Sequence, residues 1–380
     1  MRREIRNEWS CLPRLLCEKD HFSANSREEW ETKRRPELLE LFKSHVYGRI
    51  PDEKSIKVNF HLAEQDESEA IMNGRAVRKT VEVEAERNGR HFIFCFVVFV
   101  PKSRGKVPVF LTICNRGIKD SDPSRGFLSS FWPVESMIAR GYAAAAFRTQ
   151  EVVPDYNEGF RTGFYRLFPE YAGARPSDCF GAIGAWAWAV SRMVDYVEED
   201  ESLDNTKIAV VGHSRGGKAA LWTAAQDRRI AMVAASCAGN TGDALSRGNT
   251  GEKIEDITKK FGYWFCPRYA SYARREKELP VDQHMLLGLI APRLLYTSAR
   301  TRDEWADPEG QYECCLRAGE AYRLYGKRGL IEPAQFLLPD TPVFGDGIGH
   351  HRKTGSHDLD EYDWNCYMDF ADRNLRSVKR

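Results

Sequence analysis

A serine between two glycines, placed between a buried strand and a helix, limits the possible folds of this chain more than any other feature of its sequence. Residues 208–211 form a short apolar run, Gly212, Ser214 and Gly216 follow, and residues 218–226 have the composition of a helix. In a nucleophile elbow the chain turns sharply from strand to helix, and glycines avoid clashes with the neighbouring backbone. The pattern therefore predicts that Ser214 is a nucleophile beside backbone N–H groups that stabilise an oxyanion.

Short apolar runs recur along the chain and alternate with segments that have a helical pattern. The runs that suit strands buried on both faces span residues 107–114, 142–147, 207–211, 230–236, 293–298 and, as the last strand, 335–338. Short apolar strands separated by helices favour a mainly parallel sheet covered by helices. Together with the serine turn, they predict the α/β class and an α/β-hydrolase fold, a three-layer sandwich with helices on both faces.

Local signals fit the same plan. Residues 76–85 and 91–100 have β-type patterns, and Asn88-Gly89 between them is typical of a hairpin turn. Residues 180–199 carry apolar side chains at helical spacing, and Asp178 is the expected N-cap of that helix.

The domain organisation is predicted to be simple. The first fifty residues are polar and partly helical around residues 36–42, and they end at the breaker Gly48-Arg49-Ile50-Pro51. No internal repeat or linker divides the chain. Residues 1–380 are therefore predicted to form a single α/β-hydrolase domain on which the N-terminal extension, residues 1–50, packs.

The charge and composition of the chain limit the classes of partner that we expect it to bind. The 56 Lys and Arg residues and 55 Asp and Glu residues give a net charge of +1, which favours neither nucleic acid nor a membrane surface as partner. No window holds the ~18 apolar residues of a membrane span. The N-terminus lacks a signal-peptide pattern, so the chain as written is expected to be cytoplasmic. We expect a monomer.

The cysteines predict free thiols rather than a metal site. The chain has 10 of them, dispersed, without a CxxC pair and without the Cys/His spacing that builds a zinc site. Most are expected to be unpaired and buried. We therefore expect no metal and no cofactor.

A serine nucleophile requires a histidine base, and several histidines follow Ser214. In the α/β-hydrolase fold the chain order is serine, acid, histidine. His284 precedes the late strand at 293–298 and is too early for that order. Spacing leaves the choice among His350, His351 and His357 open.

The acid that orients the base is expected after a late strand. The segment after 293–298 offers Asp303, Glu304 and Asp307, whereas Cys237 and its neighbours after the preceding strand include no carboxylate. Asp303 or Asp307 is therefore favoured. Arg215 places a cation at the start of a helix, as does Lys218 one turn later, and this opposes the helix dipole by a few tenths of a kcal/mol. The arrangement suggests an anionic group in the substrate.

Beyond these residues, the sequence resembles the glucuronoyl esterases of carbohydrate esterase family 15, particularly the bacterial branch, from about residue 34 to the C-terminus. The motifs that carry the resemblance are Arg35-Pro36-Glu37-Leu38, His45-Val46-Tyr47-Gly48-Arg49, Trp132-Pro133-Val134-Glu135, Ala185-Trp186-Ala187-Trp188, Gly212-His213-Ser214-Arg215-Gly216-Gly217-Lys218, Asp282-Gln283-His284-Met285, Trp305-Ala306-Asp307-Pro308 and His357-Asp358-Leu359.

The resemblance implies a serine esterase that cleaves the ester between glucuronic or 4-O-methyl-glucuronic acid on glucuronoxylan and lignin-type alcohols. Ser214 would form a glucuronoyl-enzyme that water then hydrolyses. Arg215 matches the arginine of the family's oxyanion hole. His357 matches the family's base, which would leave His350 and His351 as loop residues near the pocket.

The resemblance also implies how the sugar is held and where the chain departs from its relatives. Lys218, Glu252 and Trp305 match positions that bind the sugar hydroxyls. Many family members place a catalytic glutamate where this chain has Cys237, and some bacterial members use an aspartate that matches Asp303. Asp303 is accordingly the predicted acid. Family members are generally secreted, so a trimmed secreted or periplasmic protein is the alternative to a cytoplasmic one.

Other functions remain as alternatives. An acetyl-xylan esterase or a simple uronate methyl esterase would share the serine chemistry. An acetyl ester carries no uronate ring, so an acetyl-xylan esterase has no need for Lys218, Glu252 and Trp305 together. The alternative that is not an enzyme is a non-catalytic, carbohydrate-binding relative with the same fold.

Overall fold

The computed structural model describes residues 9–17, 23–173, 175–330 and 338–376. Within them, a ten-stranded sheet has the order β1-β2-β3-β5-β4-β6-β7-β8-β10-β9. The strands β5, β4, β6, β7, β8 and β10 run parallel to their neighbours in the middle of the sheet, and β1–β3 and β9 add antiparallel edges. The strands are β1 Lys57–Asp66, β2 Ala76–Arg87, β3 Arg90–Pro101, β4 Val107–Cys114, β5 Ala143–Arg148, β6 Leu203–His213, β7 Ile230–Ser236, β8 Leu294–Arg300, β9 Val343–Phe344 and β10 Ile348–Lys353.

Helices cover both faces of this sheet. The α-helices in the described ranges are α1 Arg27–Glu29, α2 Arg35–Phe42, α3 Val134–Ala139, α4 Thr149–Val152, α5 Ala182–Glu199, α6 Arg215–Gln226, α7 Ile254–Phe261, α8 Gln283–Gly288, α9 Pro308–Arg323 and α10 Glu361–Ala371.

The central strands are apolar throughout because both of their faces are buried. Along β4, Leu111 and Ile113 join the core beneath α5 and α6, whereas Phe110 and Cys114 join the core beneath α3 and α10. Successive side chains of a strand point to opposite faces, so a strand between two helical layers has no polar face. The predicted α/β-hydrolase sandwich is confirmed.

Helix α5 lies where its apolar pattern predicted, but its N-terminus differs. Ala182 is the first helical residue, and the N-cap is Gly181, which offers no side-chain cap. A Cβ on Gly181 would lie 2.2 Å from the carbonyl oxygen of Trp264, so close backbone packing fixes the start of the helix. Asp178 is too far upstream to cap it and instead accepts a hydrogen bond of 2.8 Å from Nε of Arg49.

The predicted hairpin is present between β2 and β3. Asn88 and Gly89 connect the strands with φ angles of 52° and 74°. Positive φ at both central residues is the requirement of a type I′ turn, which matches the twist of the paired strands.

The N-terminal helices pack against the sheet domain through apolar and charged groups. Trp30, Leu38 and Phe42 are fully buried. The guanidinium of Arg35 donates to the carbonyl oxygen of Ala225 at the end of α6, at 2.8 Å. This segment therefore contributes directly to the core around α6.

The last parallel strand is β10, Ile348–Lys353, and this corrects the sequence analysis. Of the segment predicted as the last strand, residues 335–337 lie outside the described residues, and Leu338 belongs to no strand. The sequence of β10 carries His350 and His351 in place of aliphatic residues. These imidazoles are buried with hydrogen-bond partners, so burial does not require aliphatic side chains there.

Two further properties concern the whole described chain. All 10 cysteines are free thiols, and seven of them are buried. None of the described helices is long and apolar enough to cross a membrane.

Candidate active site

Ser214 occupies the sharp turn between β6 and α6. Its backbone has φ 56° and ψ −126°, a strained conformation for a residue with a side chain. Its N–H donates to the carbonyl oxygen of Ser236 on β7 at 2.8 Å. A Cβ on Gly212 would lie 2.1 Å from the carbonyl oxygen of Gly216, so glycine is required at position 212 for the two backbones to approach. The geometry is that of the predicted elbow.

His357 and Asp303 meet beside this turn, although 54 residues separate them. Nδ1 of His357 lies 2.6 Å from Oδ2 of Asp303. The Asp303 side chain is 6% exposed and that of His357 is 44% exposed. Since a carboxylate only accepts, Nδ1 carries the proton, and Nε2 is left with a lone pair for a second partner.

The imidazole of His213 connects this pair to the elbow. Its ring lies 4.5 Å from that of His357, and it immediately precedes Ser214 in the chain. Burial, and then the neighbouring His357, lowers the pKa of His213 well below its ordinary value. His213 therefore stays neutral and adds no charge beside the candidate base.

The other histidines considered from the sequence lie elsewhere. His350 and His351 belong to strand β10 and are buried, so the expectation that they are loop residues is wrong. Nδ1 of His350 lies 2.8 Å from the hydroxyl of Thr297, and Nε2 of His351 lies 2.8 Å from a carboxylate oxygen of Asp363. His284 lies in α8 and donates from Nε2 to the carbonyl oxygen of Pro13, at 2.9 Å.

The two other acids of the same segment have different surroundings. Asp307 caps helix α9 and accepts from the hydroxyl of Thr250 at 2.8 Å and from the N–H of Gly310 at 3.2 Å. Glu304 is exposed. Of the three candidate acids, Asp303 is therefore the one that the fold brings to a histidine of the late loops.

Arg215, the residue after Ser214, is fixed by groups that the sequence analysis did not identify. Its Nη2 donates to the carbonyl oxygen of Asn115, just after β4, at 2.8 Å, and its Nε pairs with the carboxylate of Asp155. Asp155 also accepts from the indole N–H of Trp264 at 2.7 Å. Because these partners come from distant loops, no local sequence pattern indicates them.

Lys218, Glu252 and Trp305 lie together, as the resemblance implied. Nζ of Lys218 donates to the carbonyl oxygens of Ala238 and, at 2.6 Å, of Asn240, and it lies 3.9 Å from Oε2 of Glu252. The indole N–H of Trp305 donates to Oε1 of Glu252 at 3.2 Å. The Trp305 side chain is 50% exposed, which leaves one edge of this cluster open to solvent.

Burial sets the protonation behaviour of this cluster. It lowers the pKa of Lys218, against the raising effect of Glu252, and it raises the pKa of Glu252, against the lowering effect of Lys218. Burial also raises the pKa of the neighbouring Asp243 to about 7. Asp243 was missed from the sequence because it sits in a loop with no motif around it.

Cys237 lies directly after β7, at the edge of the sheet where the carboxyl ends of the strands also carry Asp303 and His357. Its φ is 48°, and its N–H donates to the carbonyl oxygen of Ser298 at 2.8 Å. The side chain is buried, and burial raises the pKa of its thiol well above the ordinary value. Its Sγ, a carboxylate oxygen of Asp303 and a ring nitrogen of His357 lie within 4.8 Å of one another.

Two arginines hold the residue that follows His357. Nε and Nη2 of the buried Arg300 donate to the carbonyl oxygen of Asp358 at 3.2 and 3.0 Å. Nη2 of Arg116 contacts the Asp358 carboxylate at 2.5 Å. Arg300 is itself paired with the buried carboxylate of Asp363 at 2.5 Å. The loop that carries His357 is therefore fixed through both its backbone and a side chain.

A mainly parallel sheet, a serine in a strained turn before a helix, and a histidine–aspartate pair beside it are typical of the α/β-hydrolase class. Comparison with known proteins narrows the class. The family model described as "Glucuronyl esterase, fungi" matches residues 83–326. The chain belongs to this family, the glucuronoyl esterases of carbohydrate esterase family 15, and is a carboxylic ester hydrolase.

Individual relatives agree with this assignment. A carbohydrate esterase of an unknown prokaryotic organism is 33% identical, over 96% of this chain and 89% of the relative. A 4-O-methyl-glucuronoyl methylesterase of Schizophyllum commune is 27% identical, over 83% of this chain and 74% of the relative. The solved structure of a glucuronoyl esterase from Solibacter usitatus superposes with a TM-score of 0.87 at 32% identity, over 95% of this chain and 97% of that one.

Proposed function

We propose that this protein hydrolyses the ester between glucuronic or 4-O-methyl-glucuronic acid and an alcohol, on glucuronoxylan or on oligosaccharides derived from it. The observation that carries the proposal is the cluster of Lys218, Glu252 and Trp305, in which Lys218 lies one helical turn after Ser214. These groups supply donors and acceptors for sugar hydroxyls beside a serine nucleophile. The names of the relatives support the same substrate class.

The reaction begins with attack of Ser214 Oγ on the uronate carbonyl carbon. His357 takes the hydroxyl proton on Nε2, and Asp303, held against Nδ1, stabilises the imidazolium that forms. The negative charge on the former carbonyl oxygen is met by the N-terminus of α6 and by the guanidinium of Arg215. Asn115 and Asp155 fix that guanidinium before substrate arrives.

Collapse of this intermediate breaks the bond to the alcohol oxygen. His357 returns its proton to the departing alcohol, and a glucuronoyl ester of Ser214 remains. Water then attacks this ester with His357 as the base, and release of the glucuronic acid restores the free serine. The ester bonds formed and broken balance, and no cofactor is consumed.

The sugar-binding cluster distinguishes this function from an acetyl esterase. Trp305→Ala removes the half-exposed indole, and Lys218→Met removes a buried cation at nearly constant side-chain volume. We expect both variants to lose at least about tenfold in kcat/KM on benzyl glucuronate, the equivalent of one hydrogen bond to a charged group. Hydrolysis of p-nitrophenyl acetate, which has no sugar ring, is expected to change much less.

The paired substrates make the outcome decisive. Wild-type activity on benzyl glucuronate that falls selectively in Trp305→Ala would support the uronate function. Activity confined to p-nitrophenyl acetate, unaffected by either substitution, would contradict it and favour an acetyl-xylan esterase. Lys259→Met is a matched control for Lys218→Met, because it removes a solvent-exposed lysine from helix α7.

A further inference from the structure

The candidate base and acid share their surroundings with a thiol that the reaction does not use. Sγ of Cys237, a carboxylate oxygen of Asp303 and a ring nitrogen of His357 lie within 4.8 Å of one another. They come from the loops after β7, β8 and β10, whose carboxyl ends lie side by side in the sheet. A thiolate, a carboxylate and an imidazole are the three side-chain ligands of protein zinc sites.

We propose that Cys237, Asp303 and His357 bind a thiophilic divalent cation of the Zn²⁺ or Cd²⁺ type, and that its binding switches the esterase off. The inhibitory half of this proposal rests on the proposed roles of His357 and Asp303. Three protein ligands leave a fourth, open position for water, which is the usual arrangement of an accessible tetrahedral site.

Binding of a cation requires small movements of the three ligand side chains. In a tetrahedral site with metal–ligand distances of about 2.0–2.3 Å, the ligand atoms stand roughly 3.3–3.7 Å apart. Nδ1 of His357 and Oδ2 of Asp303, now 2.6 Å apart, would separate slightly, and Sγ of Cys237 would approach. His357 is able to move because its side chain is 44% exposed, and that exposure gives the cation a route from solvent.

The local charges permit a cation. Four cations around the site are each paired with a carboxylate: Arg300 with Asp363 at 2.5 Å, Lys218 with Glu252 at 3.9 Å, Arg116 with Asp358 at 2.5 Å, and Arg215 with Asp155. Binding displaces the proton of the Cys237 thiol into solvent. The resulting thiolate, together with the Asp303 carboxylate, balances the two positive charges of the metal.

Inhibition follows from the nitrogen that the cation takes. His357 would ligate through Nδ1, the nitrogen that faces Asp303, so the imidazole loses its proton from Nδ1 and takes one up from solvent on Nε2, which leaves it neutral. Nε2 then has no lone pair to accept the proton of Ser214. The cation thereby removes the base and the orienting acid together, without touching the serine.

The site should discriminate among cations by ligand type. Mg²⁺ and Ca²⁺ prefer oxygen ligands and would find one carboxylate here, whereas Zn²⁺ and Cd²⁺ favour the thiolate and the imidazole. Micromolar Zn²⁺ is therefore expected to inhibit hydrolysis under conditions where millimolar Mg²⁺ does not, and a chelator should restore activity.

Direct binding is measured first on the full chain, without substrate and without thiol reductants. A Cd²⁺ titration followed by the ultraviolet thiolate-to-cadmium absorption should show one ion per chain in the wild type. Cys237→Ser and Cys237→Ala should lose this absorption. Cys11→Ser, which removes an exposed cysteine, is the matched control and should keep it. Because no substrate is present, failure of the cation site and failure of the proposed esterase function register separately.

Activity assays then test the switch. Cys237→Ser and Cys237→Ala should hydrolyse ester as the wild type does in the absence of metal. They should need at least about tenfold more Zn²⁺ for inhibition, since loss of an outer-shell partner already costs 10–100-fold in metal affinity and Cys237 would be a direct ligand. Unchanged Zn²⁺ sensitivity in these variants, or a Cd²⁺ absorption that disappears in Cys11→Ser, would overturn the proposal. If neither Cys237 variant folds, Asp303→Asn replaces them, and it must bind Cd²⁺ more weakly while keeping the thiolate absorption.

Discussion

Three side chains that are far apart in the sequence carry the proposed chemistry: Ser214 after β6, Asp303 after β8 and His357 after β10. Spacing predicted the serine, because its glycines and flanking elements are local. The choice of base and acid depended on the resemblance to a family, because contact between residues 303 and 357 is made by the sheet and leaves no local pattern. The structure places these two side chains 2.6 Å apart.

At the residue scale, Asp303→Asn tests the role of the acid. The amide keeps the size of the side chain but offers its N–H₂ to Nδ1, which favours the wrong tautomer of His357. We predict a ~10⁴-fold fall in kcat on benzyl glucuronate, as expected for a triad that loses its carboxylate. Steady-state kinetics at pH 7 measures it.

Glu304→Gln is the control for that substitution, since it neutralises the exposed neighbour. It should retain wild-type kcat. An Asp303→Asn variant with activity close to the wild type would show that another carboxylate orients the base.

At the scale of elements, the sequence predicted the strands with long apolar patterns and missed β1 and β10. Strand β1 has a short apolar alternation, Val58, Phe60 and Leu62, but most of its residues are exposed at the sheet edge, and β10 contains two histidines. Patterns as weak as these are recognised as strands only through their pairing with β2 and β8. The N-cap of α5 was misassigned because contact with Trp264 fixes the helix start.

Contacts between β8 and α10 support the loop that carries His357, the proposed base. Arg300, at the end of β8, is paired with Asp363 in α10 and donates to the Asp358 carbonyl beside His357. Arg300→Met would leave a buried carboxylate without its cation, and we predict a loss of about 3–5 kcal/mol in unfolding free energy. Urea denaturation measures this loss.

The kinetics of Arg300→Met and a control variant separate an effect on the loop from a general loss of stability. Where Arg300→Met is still folded, kcat should fall with KM little changed, because the loop holds the proposed base, His357, and none of the proposed sugar-binding residues. Arg302→Met removes an exposed arginine from the same segment and should leave stability and kcat unchanged. A fully stable Arg300→Met would contradict the role assigned to this pair.

At the scale of the whole molecule, the N-terminal segment and the sheet share one core, and we propose that residues 1–380 form a single domain. His284 in α8 bonds to the carbonyl of Pro13 across this junction. Burial lowers the pKa of His284 to about 4. The folded protein therefore keeps it neutral at pH values where the unfolded chain, with an ordinary histidine pKa of about 6.5, binds a proton.

The contribution of neutral, buried His284 to stability is fully present above the unfolded-state pKa of about 6.5. It is lost as the pH falls from about 6.5 towards the folded-state pKa of about 4. We predict that stability drops between pH 7 and pH 5, and that His284→Gln, which keeps a donor for Pro13, lessens the drop by roughly 2 kcal/mol. Urea denaturation at both pH values should show one transition each time. An unchanged pH dependence in His284→Gln would contradict the neutral, buried state of His284.

Cleavage of a glucuronoyl ester by Ser214 is measured as benzyl alcohol release from benzyl glucuronate by the wild type and by Ser214→Ala, with intact folding of both verified by circular dichroism. We predict rapid release by the wild type and a fall of about 10⁶-fold in kcat, to background, in Ser214→Ala. Release that persists in Ser214→Ala, or a folded wild type that releases no benzyl alcohol, would contradict the proposed function.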